Sequence, residues 1–234
     1  HKISDVEVGC FLSSGVDSSY VSTYFADQKT FTVGFDFGEK YNEISWAERL
    51  SKKIGVEHHT HLISSEEFWG NVEHVQYHMD QPLADPSCIA LYFVSKLASE
   101  YVKVVLSGEG ADELFGGYPW YHREEILFED TFPWSRSVGL RLGLLAPDVV
   151  RDGSAFVREH YLSTCRRAEK LPSDSKKDAR MREMFVLNLD WFMATLLEGS
   201  VAGGYGRRYP RCSRAKRKRG ASAPLFCIPV KASP

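Results

Sequence analysis

The chain has 234 residues, of which 43% are hydrophobic and 26% are charged. This composition supports one α/β-sized domain and excludes an intrinsically disordered protein. No apolar run approaches the roughly 18 residues that a membrane span needs, so a transmembrane protein is excluded too. The five cysteines form no CxxC pair, which argues against a zinc ribbon or a disulfide scaffold and favours a reducing, cytoplasmic compartment.

Charge is distributed unevenly along the chain. Residues 1–198 carry 20 Lys and Arg against 31 Asp and Glu, whereas residues 199–234 carry nine Lys and Arg and no acid. Half of this last segment is Gly, Ala, Ser or Pro. The change in composition predicts an acidic folded domain over residues 1–198, followed by a basic, disordered tail over residues 199–234.

Strand and helix patterns alternate along the first half of the chain. The predicted elements are, in order, a strand over 6–12, a helix over 18–26, a strand over 30–35, a helix over 44–54, a strand over 57–62, a helix from a capping box at 64–67 to 79, a helix over 88–100 and a strand over 102–106. Residues 120–198 are predicted to be mainly helical. The alternation predicts a doubly wound α/β fold with a parallel sheet, which binds ligands at the carboxyl ends of its strands.

The loop between the first predicted strand and helix reads LSSGVDSS. Backbone N–H groups and the positive end of the helix dipole converge there, and Gly15 allows a close main-chain approach, so the loop suits a phosphate. It lacks the Gly-Lys-Ser/Thr ending of a Walker A loop. Asp17 would repel a phosphate unless Mg²⁺ lay between them, which implies a magnesium–pyrophosphate complex. A helix cap alone would explain only one or two of these residues. Hydroxyl donors are supplied by Ser13, Ser14, Ser18 and Ser19.

A second loop, SGEGADELFGGY over residues 107–118, follows the last predicted strand. Because both loops follow parallel strands, we expect them to leave the same edge of the sheet. The loop could be a solvated turn, but its four glycines make it costly to order unless a ligand or a special backbone path requires them. Asp112 can share a metal with Asp17, and Glu109 can face a reacting carboxyl or amine.

Together the two loops resemble a known family. The first resembles the SGGxDS pyrophosphate loop of ATP pyrophosphatases, and the second is similar to the signature of the synthetase domain of asparagine synthetases. The segments TVGF (32–35), YNEISWA (41–47), EHH (57–59) and DQPLADPS (80–87) also follow the family order. The resemblance covers residues 4–198. It implies the adenine-nucleotide α-hydrolase-like fold of N-type ATP pyrophosphatases, with a mainly helical carboxy-terminal part.

The resemblance also implies a reaction. In this family the β-carboxylate of aspartate attacks the α-phosphorus of ATP to give β-aspartyl-AMP and pyrophosphate, and ammonia then displaces AMP to give asparagine. ATP and Mg²⁺ are the implied ligands, with Asp17 and Asp112 binding the metal and acting in catalysis with Glu109, which would lie beside the acyl-adenylate. The residues implied to surround the nucleotide are Leu12, Ser13, Ser14, Gly15, Val16, Asp17, Ser18, Ser19, Val33 through its main chain, Ser107 and Gly108.

Three features depart from the family pattern. Ser14 stands where a second Gly is usual, a small change that we expect to be tolerated. No glutaminase domain precedes His1, and Cys10 is interpreted as a buried structural cysteine. We therefore expect this chain to use free ammonia, and the intact enzyme to carry the glutaminase domain. After Glu198, GSVAGGYGRRYPRC replaces the family segment that contains a catalytic lysine. We hypothesise a frameshift there, which translation of the other reading frames tests.

Other interpretations stay open. The chain could adenylate another carboxylate, as β-lactam synthetases and peptide-cyclising homologues do, or be an inactive ATP-binding fragment. The basic run at 215–219 could bind nucleic acid, although aromatic residues are sparse there and we do not expect that partner. No membrane partner is expected, and a homodimer is open. His59 and His61 share one side of a predicted strand, but no further ligand completes a metal site, so we favour polar positions. Glu43 is interpreted as a helix cap or, from its family position, as a neighbour of the nucleotide.

Overall fold

The chain divides into two compact units, one formed by His1–Glu109 with Leu196–Pro234 and the other by Gly110–Thr195. The predicted boundary after residue 198 stays a prediction. The computed structural model describes residues 4–24, 28–36, 38, 42–79, 87–146, 148 and 152–193, and the backbone of 226–229.

A β-sheet forms the centre of the first unit. Its strands are β1 (Val8–Phe11), β2 (Thr30–Phe35), β3 (His58–Ile63), β4 (Val104–Ser107) and β5 (Phe226–Pro229). Its helices are α1 (Val16–Thr23), α2 (Ile44–Ile54), α3 (Ser65–His78) and α4 (Ser87–Ser99). Four strands run parallel in the order β3-β2-β1-β4, and β5 pairs antiparallel with β4.

Helices cover both faces of this sheet. Val8 and Cys10 of β1 point to the face covered by α1, where they pack with Val21. Phe11 points to the opposite face and packs with Val94 of α4. Burial on both faces explains why the strands read as continuous apolar runs. The arrangement confirms the doubly wound α/β fold. Burial also raises the pKa of the Cys10 thiol to about 12, as for a structural cysteine.

The predicted elements of this unit are all found, with small shifts at their ends. The helix α1 begins at Val16, two residues earlier than predicted, because the N–H of Ser19 already donates to the carbonyl of Gly15. The strand β4 begins two residues later than predicted, because the N–H of Val102 still closes the last turn of α4 on Ala98 O at 2.9 Å.

The capping box at the start of α3 is confirmed. The Ser64 hydroxyl accepts a hydrogen bond from the N–H of Glu67 at 3.1 Å, and the Glu67 carboxylate accepts one from the N–H of Ser64 at 2.9 Å. This bond from Ser64 lowers the pKa of Glu67. The predicted end of the first helix at 24–26 and the DQPLADPS segment fall largely outside the described residues.

The strand β5 was not predicted. It pairs with β4 at the edge of the sheet, with Val105 opposite Ile228 and Ser107 opposite Phe226. An antiparallel edge strand on a parallel sheet is a common arrangement, and an edge tolerates Pro229. The rest of the predicted tail, including the basic run at 215–219, lies outside the described residues.

The second unit is mainly helical, as predicted. Its core joins buried aromatic and aliphatic side chains, among them Tyr121, Leu127, Tyr161, Met184 and Leu187. No helix in the described parts of the chain is long and apolar enough to cross a membrane. The helices of this unit are α5 (Ala111–Phe115), α6 (Pro119–His122), α7 (Glu124–Leu127), α8 (Val138–Leu142), α9 (Gly153–Cys165) and α10 (Lys176–Leu187), with a π-helical turn at Asn188–Phe192.

Candidate functional site

Both predicted loops leave the same edge of the sheet. The strands β1 and β4 are parallel neighbours, with Val8 opposite Val104 and Cys10 opposite Leu106. The chain continues from β1 to β2 on one side, while β4 lies on the other, so the strand order reverses between β1 and β4. A reversal of this kind opens a crevice at the carboxyl ends of the strands, where doubly wound folds bind ligands.

The start of the second loop packs closely against α1. A Cβ on Gly108 would lie 2.9 Å from the backbone nitrogen of Ser18 and 3.2 Å from the Cβ of Asp17. Only glycine fits here without moving one of the two backbones. The two sequence motifs therefore meet through their main chains.

Two serine side chains shape the first loop from within. The N–H of Ser13 donates to the hydroxyl oxygen of Ser18 at 3.1 Å, and the two hydroxyl oxygens lie 2.7 Å apart. The N–H of Gly15 donates to the hydroxyl oxygen of Ser13 at 3.2 Å. These hydroxyls, which the sequence analysis assigns to a phosphate, thus already have partners inside the loop.

Backbone donors remain at the start of α1. The N–H groups of Val16, Asp17 and Ser18 have no hydrogen-bond partner among the described residues, and Gly15 supplies no side-chain cap. Such unpaired amides carry the positive end of the helix dipole and bind anions. The start of α1 therefore has three consecutive unpaired amides of the kind that bind phosphate.

Asp17 places a half-buried carboxylate in this same turn. Mg²⁺ is usually bound by one or two protein carboxylates together with phosphate oxygens. A carboxylate beside three unpaired amides has the chemistry to hold a magnesium ion that arrives with its phosphate. Within the described ranges, no group of three or more His, Cys, Asp or Glu side chains is placed to hold a metal.

Glu43 contacts the first loop, a contact that the sequence analysis did not identify. Its carboxylate accepts a hydrogen bond from the N–H of Ser14 at 3.1 Å, across 29 residues of sequence. Glu43 stands at the N-cap position of α2, as one of the two interpretations expects, but its side chain makes no capping hydrogen bond. The available signal was the family-like position of Glu43 in YNEISWA.

Val33 lies where its main chain can reach a ligand beside β1. The main-chain pairing of β1 with β2 ends with the bond from Leu12 N to Phe31 O, at 2.9 Å. Successive residues of a strand direct their main-chain groups to opposite sides, so those of Val33 point the same way as those of Phe31. They therefore lie beyond the end of β1. The buried Leu12 directly follows β1, and its carbonyl accepts a hydrogen bond from the Thr32 hydroxyl.

Ser107 shapes the turn that carries Glu109. Its buried hydroxyl accepts a hydrogen bond from the N–H of Glu109 at 3.3 Å. Ser107, the last residue of β4, and Gly108 thus precede the carboxylate that the resemblance assigns to the chemical step. The role of Glu109 stays a prediction.

Asp112 belongs to the second unit, in the first turn of α5. A Cβ on Gly117 would come within 1.8 Å of its carboxylate, so a larger residue there would have to displace the Asp112 side chain. The neighbouring Glu113 is buried and accepts a hydrogen bond from the hydroxyl of Tyr118. These contacts shape the second loop from within, and the metal shared by Asp17 and Asp112 stays a prediction.

His59 and His61, two of the three histidines on β3, have separate partners. His59 pairs with Glu57 at 2.7 Å and stacks on Tyr101, whereas His61 pairs with Glu67 at 3.1 Å. The two imidazoles therefore serve different contacts, as expected of polar positions along a strand.

Comparison with known proteins agrees with this geometry. The asparagine synthase family model matches residues 1–202. Glutamine-hydrolysing asparagine synthetase 1 of Bacillus subtilis is 40% identical over 164 residues, which cover 68% of this chain and 26% of that protein. Glutamine-hydrolysing asparagine synthetase 3 of the same organism is 32% identical over 217 residues, which cover 84% of this chain and 35% of that protein. Amidase chyE of Penicillium rubens is 31% identical over 150 residues, which cover 56% of this chain and 22% of that protein.

The chain thus spans about a quarter to a third of the length of these relatives. The family domain is an N-type ATP pyrophosphatase, in agreement with the doubly wound sheet and its two loops. The chain belongs to the asparagine synthase family.

Proposed function

We propose that this chain performs the synthetase half-reaction of its family, the ATP-dependent amidation of aspartate to asparagine. The observation that supports it is the crevice between β1 and β4, where three free amides of α1 and the carboxylate of Asp17 meet the Gly108 turn. A pyrophosphate leaving group needs such preorganised donors. The Bacillus subtilis relatives are named glutamine-hydrolysing asparagine synthetases.

The residues of the site would have separate roles in this reaction. The amides of Val16 to Ser18 bind the β- and γ-phosphates, and the main chain of Val33 contacts the adenine. An oxygen of the aspartate β-carboxylate attacks the α-phosphorus, the bond to the bridging oxygen breaks, and pyrophosphate leaves. Ammonia then attacks the carbonyl carbon of β-aspartyl-AMP, AMP leaves, and Glu109 accepts the surplus proton.

Asp17 and Asp112 would hold Mg²⁺, which supplies charge neutralisation for the departing pyrophosphate. In the longer relatives glutamine hydrolysis would provide the ammonia. We propose that this chain by itself uses free ammonia. Adenylation of a carboxylate other than that of aspartate is the second candidate, since one relative is not named an asparagine synthetase but an amidase.

The test is incubation of the chain with Mg·ATP, aspartate and ammonium, with AMP, pyrophosphate and asparagine measured against a reaction lacking aspartate. We expect all three products to depend on aspartate. Substitution of Asp17 by Asn keeps the size of the side chain and removes its charge, so it should abolish product formation. Asp5→Asn, at an exposed acid outside both loops, is the matched control.

Urea unfolding should show that Asp17→Asn leaves the fold intact, because the loss is of a metal ligand and not of packing. Equal turnover by wild type and Asp17→Asn would contradict the mechanism. AMP formation that depends on a different carboxylate would instead favour the second candidate.

A further inference from the structure

Three consecutive amides of the first loop are already hydrogen-bonded. Those of Ser13 and Gly15 donate to hydroxyl oxygens within the loop. The amide between them, that of Ser14, donates to the carboxylate of Glu43, which comes from the start of α2. Glu43 is therefore the charged acceptor among the three. A carboxylate thus accepts the hydrogen bond of the Ser14 amide, two residues before the first unpaired amide of α1.

The main chain of Glu43 is fixed by the packing of α2 against β2. The carbonyl of Glu43 accepts hydrogen bonds from the N–H groups of Trp46 and Ala47, both at 3.1 Å. The side chain of Asn42 accepts one from the N–H of Ile44 at 3.1 Å, and it lies over Gly34, where a Cβ would come within 2.5 Å of it. The absence of a Cβ on Gly34 leaves room for the Asn42 side chain, which binds the first residue of α2 next to Glu43.

The negative charge of Glu43 affects which form of a polyphosphate the first loop binds. Glu43 adds a second negative charge to that of Asp17 beside the free amides of α1. A metal-free pyrophosphate meets both charges unscreened, whereas Mg²⁺ cancels two charges of the ligand before it approaches. We propose that Glu43 is a specificity-determining residue, which makes the first loop select the magnesium complex of a polyphosphate over the metal-free anion. The proposal rests on the proposed function of this loop as a pyrophosphate site.

The test measures binding of inorganic pyrophosphate by calorimetry, once in EDTA and once in excess Mg²⁺. The Glu43→Gln variant keeps a hydrogen-bond acceptor for Ser14 and removes the charge. We expect it to bind metal-free pyrophosphate about tenfold more tightly than wild type, and magnesium pyrophosphate with less than about threefold change. Glu48→Gln removes the same charge from an exposed position of α2 and should behave as wild type.

The outcomes separate this proposal from the function on which it rests. Wild-type chain that binds pyrophosphate in neither condition contradicts the proposed function, and the inference fails with it. Wild-type binding together with an unchanged preference in Glu43→Gln overturns the role of Glu43 alone. Weaker binding of both forms overturns it too, because that result makes Glu43 a support of the loop. Glu43→Ala, which also removes the charge, should shift the preference in the same direction as Glu43→Gln.

Discussion

Gly108 lies against the first turn of α1, where a Cβ would come within 2.9 Å of the backbone nitrogen of Ser18. The contact joins the loop after β4 to the loop after β1 without any side chain. It brings the main chain of the second motif to the amides that face the crevice. The two loops can therefore approach this closely because residue 108 has no Cβ.

Replacing Gly108 with Ala should cost stability and nucleotide binding together. The new methyl group meets backbone atoms, which cannot rotate away, so one loop must shift. We expect a loss of about 1–3 kcal/mol in the free energy of unfolding, as is typical of overpacking. Urea unfolding and calorimetric binding of Mg·ATP measure the two effects.

The matched control is Gly70→Ala, within α3, where an added Cβ has no atom within 4 Å. Alanine in an exposed helix interior should raise stability by roughly 0.5–1 kcal/mol. A similar loss in both variants would show that the close approach at Gly108 is not the cause.

Ser18→Ala should disturb the first loop more than Ser19→Ala does. The buried hydroxyl of Ser18 accepts the hydrogen bond of Ser13 N–H at 3.1 Å, and its loss leaves that amide unpaired. We expect a cost of about 1–3 kcal/mol and weaker nucleotide binding. The hydroxyl of Ser19 has no hydrogen-bond partner within the described residues, so Ser19→Ala should change stability by less than about 0.5 kcal/mol. Equal effects in urea unfolding would refute this distinction.

His58 should make the fold less stable in mild acid. Burial lowers its pKa below the ordinary value of about 6.5, and the ring pairs with the Thr30 hydroxyl at 2.9 Å. In the window between the lowered value and 6.5, the unfolded chain binds a proton that the folded chain does not. Stability is therefore fully present above pH 6.5 and falls as the pH drops through this window.

The measurement is the free energy of unfolding in urea at pH 7.5 and pH 5.5. The His58→Gln variant cannot titrate, so it should lose less stability between these two values than wild type does. Comparison of the two proteins isolates the contribution of His58, because every other side chain is the same in both. An identical loss in wild type and variant would falsify the role of His58.

Of two arginines in the second unit, Arg180 should contribute more to the free energy of unfolding than Arg158. Its buried guanidinium donates to the carbonyl of Glu129 at 2.8 Å and pairs with Glu183 at 2.7 Å. Arg180→Ala should cost roughly 3–5 kcal/mol, because it breaks a largely buried ion pair and removes one donor each from the carbonyls of Leu127 and Glu129. Arg158 pairs with Asp130 at 2.8 Å, but both side chains are more than half exposed. Arg158→Ala should cost at most about 1 kcal/mol in thermal unfolding.

The sheet could be predicted because its signals are local. Strands such as β2 (Thr30–Phe35) lie between two layers of helices, and this burial produces an apolar run that is visible in the sequence. The pairing of β4 with Phe226–Pro229 could not be predicted, because it joins segments more than 100 residues apart. A four-residue run within a segment rich in Gly, Pro and Arg carries too weak a signal of its own.

The sequence by itself determined the two loops, their glycines and the carboxylate of Asp17, because glycines, hydroxyls and a carboxylate in consecutive positions between a strand and a helix form a local pattern. Only the tertiary structure decided which hydrogen bonds these groups form. It engages the hydroxyls of Ser13 and Ser18 inside the loop, leaves the amides of α1 free, and brings Glu43 to Ser14 from 29 residues away. The physical reason is that such contacts follow from the packing of α2 on β2 and of β4 on β1, which no local pattern encodes.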